Sequence, residues 1–455
     1  MRNTTKRTYI ILFLIGAFFV GLGIMLYTFI ANGDTWVANR GNSHLYEGGE
    51  LTVAGTIYDR DGEVLVSTEN GERAYNEDSS VRKSTLHVVG DNAGYIATGV
   101  QTLYRSNLVG YNFIDGIYKT LTSDEGCDIR LTIDADVSKA AYEAMNGKKG
   151  TVVVYNYKTG ETVCMVSAPT YDPKYKPSAE ELESEKYNGV YLNRAISGVF
   201  TPGSTFKIIT TIAAIENLPD LYSKKFKCTG KYETGVGEVI CNGVHGTVDI
   251  EKGLNVSCNC VFAQLANEVG KNALTQTVRD LGFAKNVTIS KATAVRSTFD
   301  VSDSTALDLG WAGIGQYTTL INPCQMLMLM GAIANDGIAM TPYVVEESSE
   351  IVDAKNKTNT AVRLSAETAD KVKKLMRSNV ANYYGDKKFP GLEMCGKTGT
   401  AEVEGAKSHA WFTGFSQRSD LPYAIVVCLE NGGWGYNDAI PVANKTMQAV
   451  ASSIK

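Results

Sequence analysis

The sequence predicts an α+β fold. One antiparallel sheet is sewn from strands near both ends of the soluble part, with helices packed on it. A single N-terminal transmembrane helix and a small module precede it. Three observations predict this. β-rich runs with turn signals occur at TVVVYNYKTGETVCMVSA and again in EMCGKTGTAEV, HAWFTGFS and YAIVVCLE. Helical segments dominate the chain between them, as in STFKIITTIAAIENL and NPCQMLMLMGAIAND. Only one run, near the start, is long and apolar enough to cross a membrane.

That run extends from Thr8 to Ala31 without a charged residue. At 1.5 Å per helical residue it crosses a hydrocarbon core of about 30 Å. Arg2, Lys6 and Arg7 precede it, and Asp34 and Glu47 follow. The positive-inside rule leaves the N-terminus in the cytoplasm and the rest outside. The alternative is a cleaved signal peptide, whose apolar core is about 7–15 residues long. This run is longer, and Phe29-Ile30-Ala31 is a poor cleavage site.

From Asn32 to Glu50 the chain is polar and aperiodic, a linker. In GTIYDRDGEVLVS the pair Asp61-Gly62 lies between apolar stretches and predicts a hairpin. Residues 68–127 are punctuated by Gly, Asn and Ser and read as a small α+β module. IDADVSKAAYEAM predicts a helix with Val137, Ala140, Ala141 and Ala144 on one face. A second hairpin turns at Lys158-Thr159-Gly160. Met326, Met328 and Met330 recur at every second position of a predicted helix, so they are core filling rather than one stripe.

Composition removes several function classes. The 455 residues are 44% hydrophobic and 20% charged, an ordinary globular mixture. Lys+Arg 44 against Asp+Glu 49 gives a net charge of −5, with no basic footprint for nucleic acid. The four histidines, His44, His87, His245 and His409, show no metal-ligand spacing. Nine scattered cysteines are not a disulfide scaffold. Cys228 and Cys241 flank a turn-rich segment and are either a disulfide or two reduced thiols. Cys258 and Cys260 form a C-x-C, but with so few histidines and a candidate motif alongside, no metal is expected.

Three short motifs carry chemistry. In TPGSTFK, Pro202 and Gly203 mark a helix start, and Ser204 and Lys207 share one face at i and i+3. A serine nucleophile needs a base, and a lysine serves only when burial or a helix N-terminus lowers its pKa. Ser257-Cys258-Asn259 precedes a predicted helix, where it either caps or offers a hydroxyl and an amide to a cleft. In Lys397-Thr398-Gly399-Thr400, period two puts both threonines on one face. Gly399 admits a close backbone such as a ligand's, and Lys397 suits a carboxylate.

Together and in this order the motifs resemble the signature S-x-x-K, S-D-N, K-T-G of penicillin-binding proteins and β-lactamases, with Cys258 in the middle of the second. The chain resembles class B penicillin-binding proteins, the monofunctional transpeptidases of the bacterial wall. GTIYDRDGEVL, LTIDADVSKAAYEAM, LNRAISGVFTPGSTFK, HGTVDIEKGLNVSCN, CGKTGTAE and AWFTGF all match that family. Cys258 stands where β-lactamases commonly have Asp, which favours a synthase. Tyr317 stands where the family usually repeats Gly, a change expected at the cleft wall. The short module resembles the small-pedestal, penicillin-binding protein A type.

The resemblance implies a penicillin-binding, β-lactamase-like α/β sandwich. It divides the chain into a cytoplasmic tail and anchor at 1–34, a small dimerisation- or interaction-like pedestal at 35–130, and the transpeptidase domain at 131–455. It implies a substrate, the peptidoglycan stem peptide ending in D-Ala-D-Ala. It implies Ser204 as nucleophile, Lys207 as its base, Ser257 as proton carrier and Asn259 as holder of the peptide amide. Lys397, Thr398, Gly399 and Thr400 would bind the terminal carboxylate, with backbone N–H groups of Ser204 and Thr400 as oxyanion donors. β-Lactams would acylate the same serine, and neither metal nor organic cofactor is required. A SEDS-family glycan polymerase is the implied partner. The rival functions are a D,D-carboxypeptidase, a β-lactamase, and a non-catalytic wall-assembly scaffold or β-lactam sensor.

Overall fold

The strand-like runs at the two ends of the soluble part do pair into one sheet. In the computed structural model, residues 2–37, 39, 46–47, 50–111, 127–346 and 357–454 are described. Two strands come early, β1 (Gly150–Asn156) and β2 (Thr162–Ala168), and three late, β3 (Met394–Ala401), β4 (His409–Ser416) and β5 (Tyr423–Leu429). Their order is β3-β4-β5-β1-β2, antiparallel throughout. The late β5 lies beside the early β1, with Val426 opposite Val153. Gly160, at φ +90°, closes the β1–β2 hairpin.

Eight helices orient the description: α1 (Arg2–Val37), α2 (Ser79–Val89), α3 (Ala135–Met145), α4 (Lys207–Asn217), α5 (Ile250–Asn255), α6 (Asn259–Val269), α7 (Pro323–Ala334) and α8 (Ile440–Ser453). Helices α3 and α8 share an apolar core with β1, β2, β4 and β5 that includes Val137, Val152, Phe412, Ile425 and Val442. Helix α7 packs on β1, β4 and β5. All its residues are buried, including Met326, Met328 and Met330, which confirms them as core. Every residue of β1, β2 and β5 is buried as well. A sheet covered on both faces needs continuous apolar runs such as Tyr423–Leu429 instead of alternation.

The helix signals read locally. Asp134 caps α3 by accepting from the Val137 N–H at 2.9 Å. Asn322 caps α7, with Pro323 at the first helical position.

The chain packs as two compact units: residues 1–56, 66–74 and 104–129, and residues 57–65, 75–103 and 130–455. In the first, α1 contains Thr5–Gly33, a segment long and apolar enough to cross a membrane, its most apolar stretch unburied. It fits a single-pass anchor. Elsewhere in that unit, Arg73 donates to the carbonyls of Ala54 and Gly55. His44 and much of the polar linker lie outside the described residues.

The second unit holds the sheet and the predicted Asp61-Gly62 hairpin. Gly62 takes φ +93°, and the Asp59 carboxylate accepts from the N–H groups of Asp61 and Glu63. Asp59 also accepts from the Ala135 N–H at the start of α3. Arg82 of α2 grips Asp172 with two bonds of 2.7 Å, both side chains nearly buried. The nine cysteines are all free thiols, so Cys228 and Cys241 are not joined.

Candidate active site

The three motifs meet in one cleft of about 590 Å³ whose lining includes Ser204, Ser257, Asn259, Lys397, Thr398 and Thr400. All of them belong to the second unit.

Ser204 sits on a 3₁₀ turn, Gly203–Phe206, that feeds α4. Three residues per turn eclipse i and i+3, so Ser204 and Lys207 fall in one row. Gly203 has φ +53°, and a Cβ there would lie 2.7 Å from the Thr400 carbonyl oxygen. The nucleophile turn therefore lies against β3, and only glycine fits both constraints. Lys207 is fully buried. Its Nζ donates to the Ser257 carbonyl at 2.6 Å, the Ser257 Oγ at 3.1 Å and the Asn259 Oδ1 at 2.8 Å. The Phe262 ring lies 5.5 Å from the same nitrogen.

Ser257 occupies the break between α5 and α6. The Ser257 N–H bonds to the Leu254 carbonyl and the Cys258 N–H to the Gly253 carbonyl. These are the two bonds of a Schellman helix end, with Ser257 in the left-handed position usually given to glycine. Its φ is +54°. A serine held there is strained, and strain of this kind collects at functional sites. Cys258 then starts α6, and Asn259 is its first residue. The capping alternative fails, because no side chain caps this helix.

Asn259 bonds on both sides within the protein. Its Oδ1 takes the Lys207 bond, and its Nδ2 donates to the Ile240 carbonyl at 2.9 Å. Oδ1 and one Nδ2–H thus bond within the protein, while Asn259 also lines the cleft and its amide has a second N–H to offer a peptide.

Strand β3 is the sheet edge. Lys397 is almost fully buried, and its Nζ donates to the Ser257 Oγ at 3.0 Å and the Thr398 carbonyl at 3.1 Å. The Ser257 hydroxyl thus bridges two lysines from opposite walls. Burial, then the charge of Lys397, lowers Lys207 to about 7. Burial alone lowers Lys397 to about 7. Two cations this close cannot both stay charged cheaply.

Thr398 and Thr400 share a face as period two requires. The Thr398 N–H donates to the Tyr384 hydroxyl at 2.9 Å, so it points off the free edge of β3. Two residues on, the Thr400 N–H points the same way. Gly399 does admit a backbone, but it is the chain's own: a Cβ would lie 2.5 Å from the Pro202 carbonyl oxygen.

Sequence reading missed Tyr384. It lies on a π-helical segment, Asn379–Tyr384, and its hydroxyl meets both the Thr398 N–H and Oγ1, the latter at 2.8 Å. π-Helical turns often mark functional sites, but no local pattern announces them. Tyr317 takes φ +61°, the left-handed region that explains a family glycine there. Its side chain is 48% exposed and outside the cleft lining, where Gln316 stands instead. His409 accepts locally from the Asn431 N–H.

Residues 150–449 match the family described as the penicillin binding protein transpeptidase domain. The chain belongs to this family. Among curated relatives, the peptidoglycan D,D-transpeptidase PbpA of Mycolicibacterium smegmatis is 30% identical over 384 residues, covering 75% of this chain and 76% of that one. Among solved structures, penicillin-binding protein A of M. tuberculosis, captured as a ceftriaxone acyl-enzyme, has a TM-score of 0.75 at 25% identity. It covers 88% of this chain and 98% of its own. The D,D-transpeptidase domain of a peptidoglycan glycosyltransferase from Eggerthella lenta also has a TM-score of 0.75, at 26% identity, with 88% and 99% covered. The penicillin-binding transpeptidase fold therefore accounts for the sheet, the flanking helices and the single cleft in which the three motifs meet.

Proposed function

We infer that this protein is a class B penicillin-binding protein: a serine D-Ala-D-Ala transpeptidase that crosslinks peptidoglycan stem peptides and is acylated by β-lactams. One observation carries the reading. The Ser257 hydroxyl lies between two buried lysines, Lys207 and Lys397, in the cleft onto which Ser204 opens.

The proposed sequence sets the roles that the family resemblance implies on that geometry. Neutral Lys207 takes the proton of the Ser204 hydroxyl as its oxygen attacks the penultimate D-Ala carbonyl. The Ser204 and Thr400 N–H groups hold the oxyanion, each donor worth about 2.7–4 kcal/mol. The proton passes from Lys207 to the Ser257 hydroxyl and on to the departing D-Ala nitrogen. Charged Lys397, with Thr398 and Thr400, fixes the terminal carboxylate. An amine of a neighbouring stem then attacks the ester, and the same relay runs in reverse. Asn259 keeps Lys207 aimed at Ser257. No metal or organic cofactor enters these steps.

The N-terminal helix is proposed as an anchor with its basic end in the cytoplasm, on the strength of Arg2, Lys6 and Arg7. A SEDS-family glycan polymerase is the proposed membrane partner, by family resemblance.

The test is incubation of the full chain with a labelled penicillin, then digestion and mass spectrometry. The label is expected on the peptide carrying Ser204 and absent in Ser204→Ala. Intact, folded protein with no mass increase at saturating drug would overturn the assignment.

A further inference from the structure

The second motif is tied to four sulfurs. Cys228 ends a short strand, Phe226–Cys228, and Cys241 follows another, Glu238–Ile240. Cys258 and Cys260 belong to the first turn of α6. The four Sγ atoms lie within 4.8 Å of one another, and all four residues are buried. The Cys241 and Cys258 sulfurs are 3.8 Å apart. A tetrahedron with Zn–S bonds of about 2.3 Å has edges of about 3.8 Å between sulfurs. A disulfide would need about 2.0 Å.

Two readings compete with a metal. The thiols could simply fill the core, since they border apolar residues such as Phe226 and Phe262. But polar groups converge on them as well. The Asn259 N–H donates to the Cys241 sulfur at 3.3 Å. The His245 Nδ1 lies 3.5 Å from the sulfurs of both Cys228 and Cys241. Such donors stabilise thiolates, and so does the N-terminus of α6, an eleven-residue helix. A hydrocarbon core has no use for them. Alternatively, the thiols could oxidise to disulfides outside the membrane. Four mutually close sulfurs in two sequence pairs, with the pairs facing each other, suit one tetrahedral centre better than two bridges.

We propose that Cys228, Cys241, Cys258 and Cys260 bind one structural Zn²⁺ that fixes the Ser257-Cys258-Asn259 motif to the Phe226–Ile240 strands. Each thiol loses its proton to solvent as its sulfur bonds the metal, and no electron is transferred. Four thiolates close the coordination shell, leaving no position for water, so the ion does no chemistry. His245 stays outside the shell and donates N–H to sulfur. The consequence falls on catalysis through position. Cys258 lies between Ser257 and Asn259, and Asn259 also bonds the Ile240 carbonyl beside Cys241. The metal thereby holds in place both groups that bond the Lys207 Nζ.

Metal content is read without activity, so this proposal and the transpeptidase reading fail separately. Full chain purified in detergent, without chelator, is expected to carry about one zinc per chain by mass spectrometry of the metal. Titration with an organomercurial should release that zinc in step with four thiols. Cobalt substitution should give thiolate-to-cobalt charge transfer and the d–d bands of a tetrahedral site. Cys241→Ser and Cys260→Ser should lose the metal, while Cys324→Ser, in α7, keeps it. Chelation of the wild type should slow penicillin acylation at least about tenfold, with recovery on adding zinc. Iron in place of zinc, disulfide-linked pairs by alkylation mass, or metal-free protein with all four thiols reduced would each overturn the proposal. The wild-type measurements stand even if a serine variant fails to fold.

Discussion

The two walls of the cleft are built by different means. The Lys397–Thr400 wall is the edge of a five-stranded sheet. Its residues are placed by register, Lys397 opposite Thr413 and Thr400 opposite Ala410, over a continuous apolar core. The Ser257–Asn259 wall is the junction of two helices, with a serine in a left-handed conformation. It has no ladder. Polar bonds to Lys207, Asn259's bond to Ile240 and the four sulfurs hold it. One wall inherits its precision from secondary structure, whereas the other must assemble it from side chains. The two lysines meet at the Ser257 hydroxyl, so errors in either wall reach the same atom.

The sharpest way to separate the walls is Lys207→Arg. Arginine keeps the charge and stays protonated, so an electrostatic role survives and a base role does not. Acylation is expected to fall about 10²–10⁴-fold. Near-normal second-order acylation, with unchanged circular dichroism, would move the base to Lys397 and its sheet wall.

Gly399→Ala attacks the sheet wall alone. The new methyl meets the Pro202 carbonyl oxygen, built at 2.5 Å, and pushes the nucleophile turn away from β3. A misplacement near 1 Å costs about 10²-fold. Acylation is expected to drop by that order while zinc content is unchanged. Loss of metal in this variant would mean the walls are not independent.

The pH profile probes the contact between them. Lys207 must be neutral to accept a proton, and it is lowered to about 7 by burial and then by Lys397. Thiols of Cys241, Cys258 and Cys260 raise it, and Ser257 and Asn259 bond it. Acylation should therefore climb about tenfold per pH unit below about 7 and level above it. Lys397 must keep its proton to hold the carboxylate, so a fall at higher pH marks the second step of the pair. A rate that does not change between pH 5.5 and about 8 would remove both lysines from proton transfer.

The smallest expected effect is Tyr384→Phe. It removes the acceptor of the Thr398 N–H and the partner of its Oγ1. Losing one or two such bonds costs about 1 kcal/mol, a reduction near fivefold in acylation. The change should appear as weaker substrate binding, with the pH profile unmoved. A shifted profile would place Tyr384 in the proton relay.

Legibility follows the same division. The β3–β5 strands, the hairpin at Gly160 and the helix that carries three buried methionines were all readable, because period, turn residues and caps are local. Ser204, Lys207, Lys397 and the two threonines were readable for the same reason. Asn259 was found, but its partners were not, since Ile240 and Lys207 reach it only through the fold. Tyr384 carried no signal at all.

The sequence by itself determined the apolar N-terminal helix, the strand and helix periods, and the order of three motifs whose chemistry is written in residue types. Those features depend on neighbours a few positions apart. Only the tertiary structure decided that one hydroxyl would bridge two lysines and that four distant cysteines would share one point. It also decided that a serine would hold the left-handed end of α5. The bridging hydroxyl and the four sulfurs need groups from tens to more than a hundred residues apart to arrive together, and what brings them there is burial of the shared core, which no local pattern records.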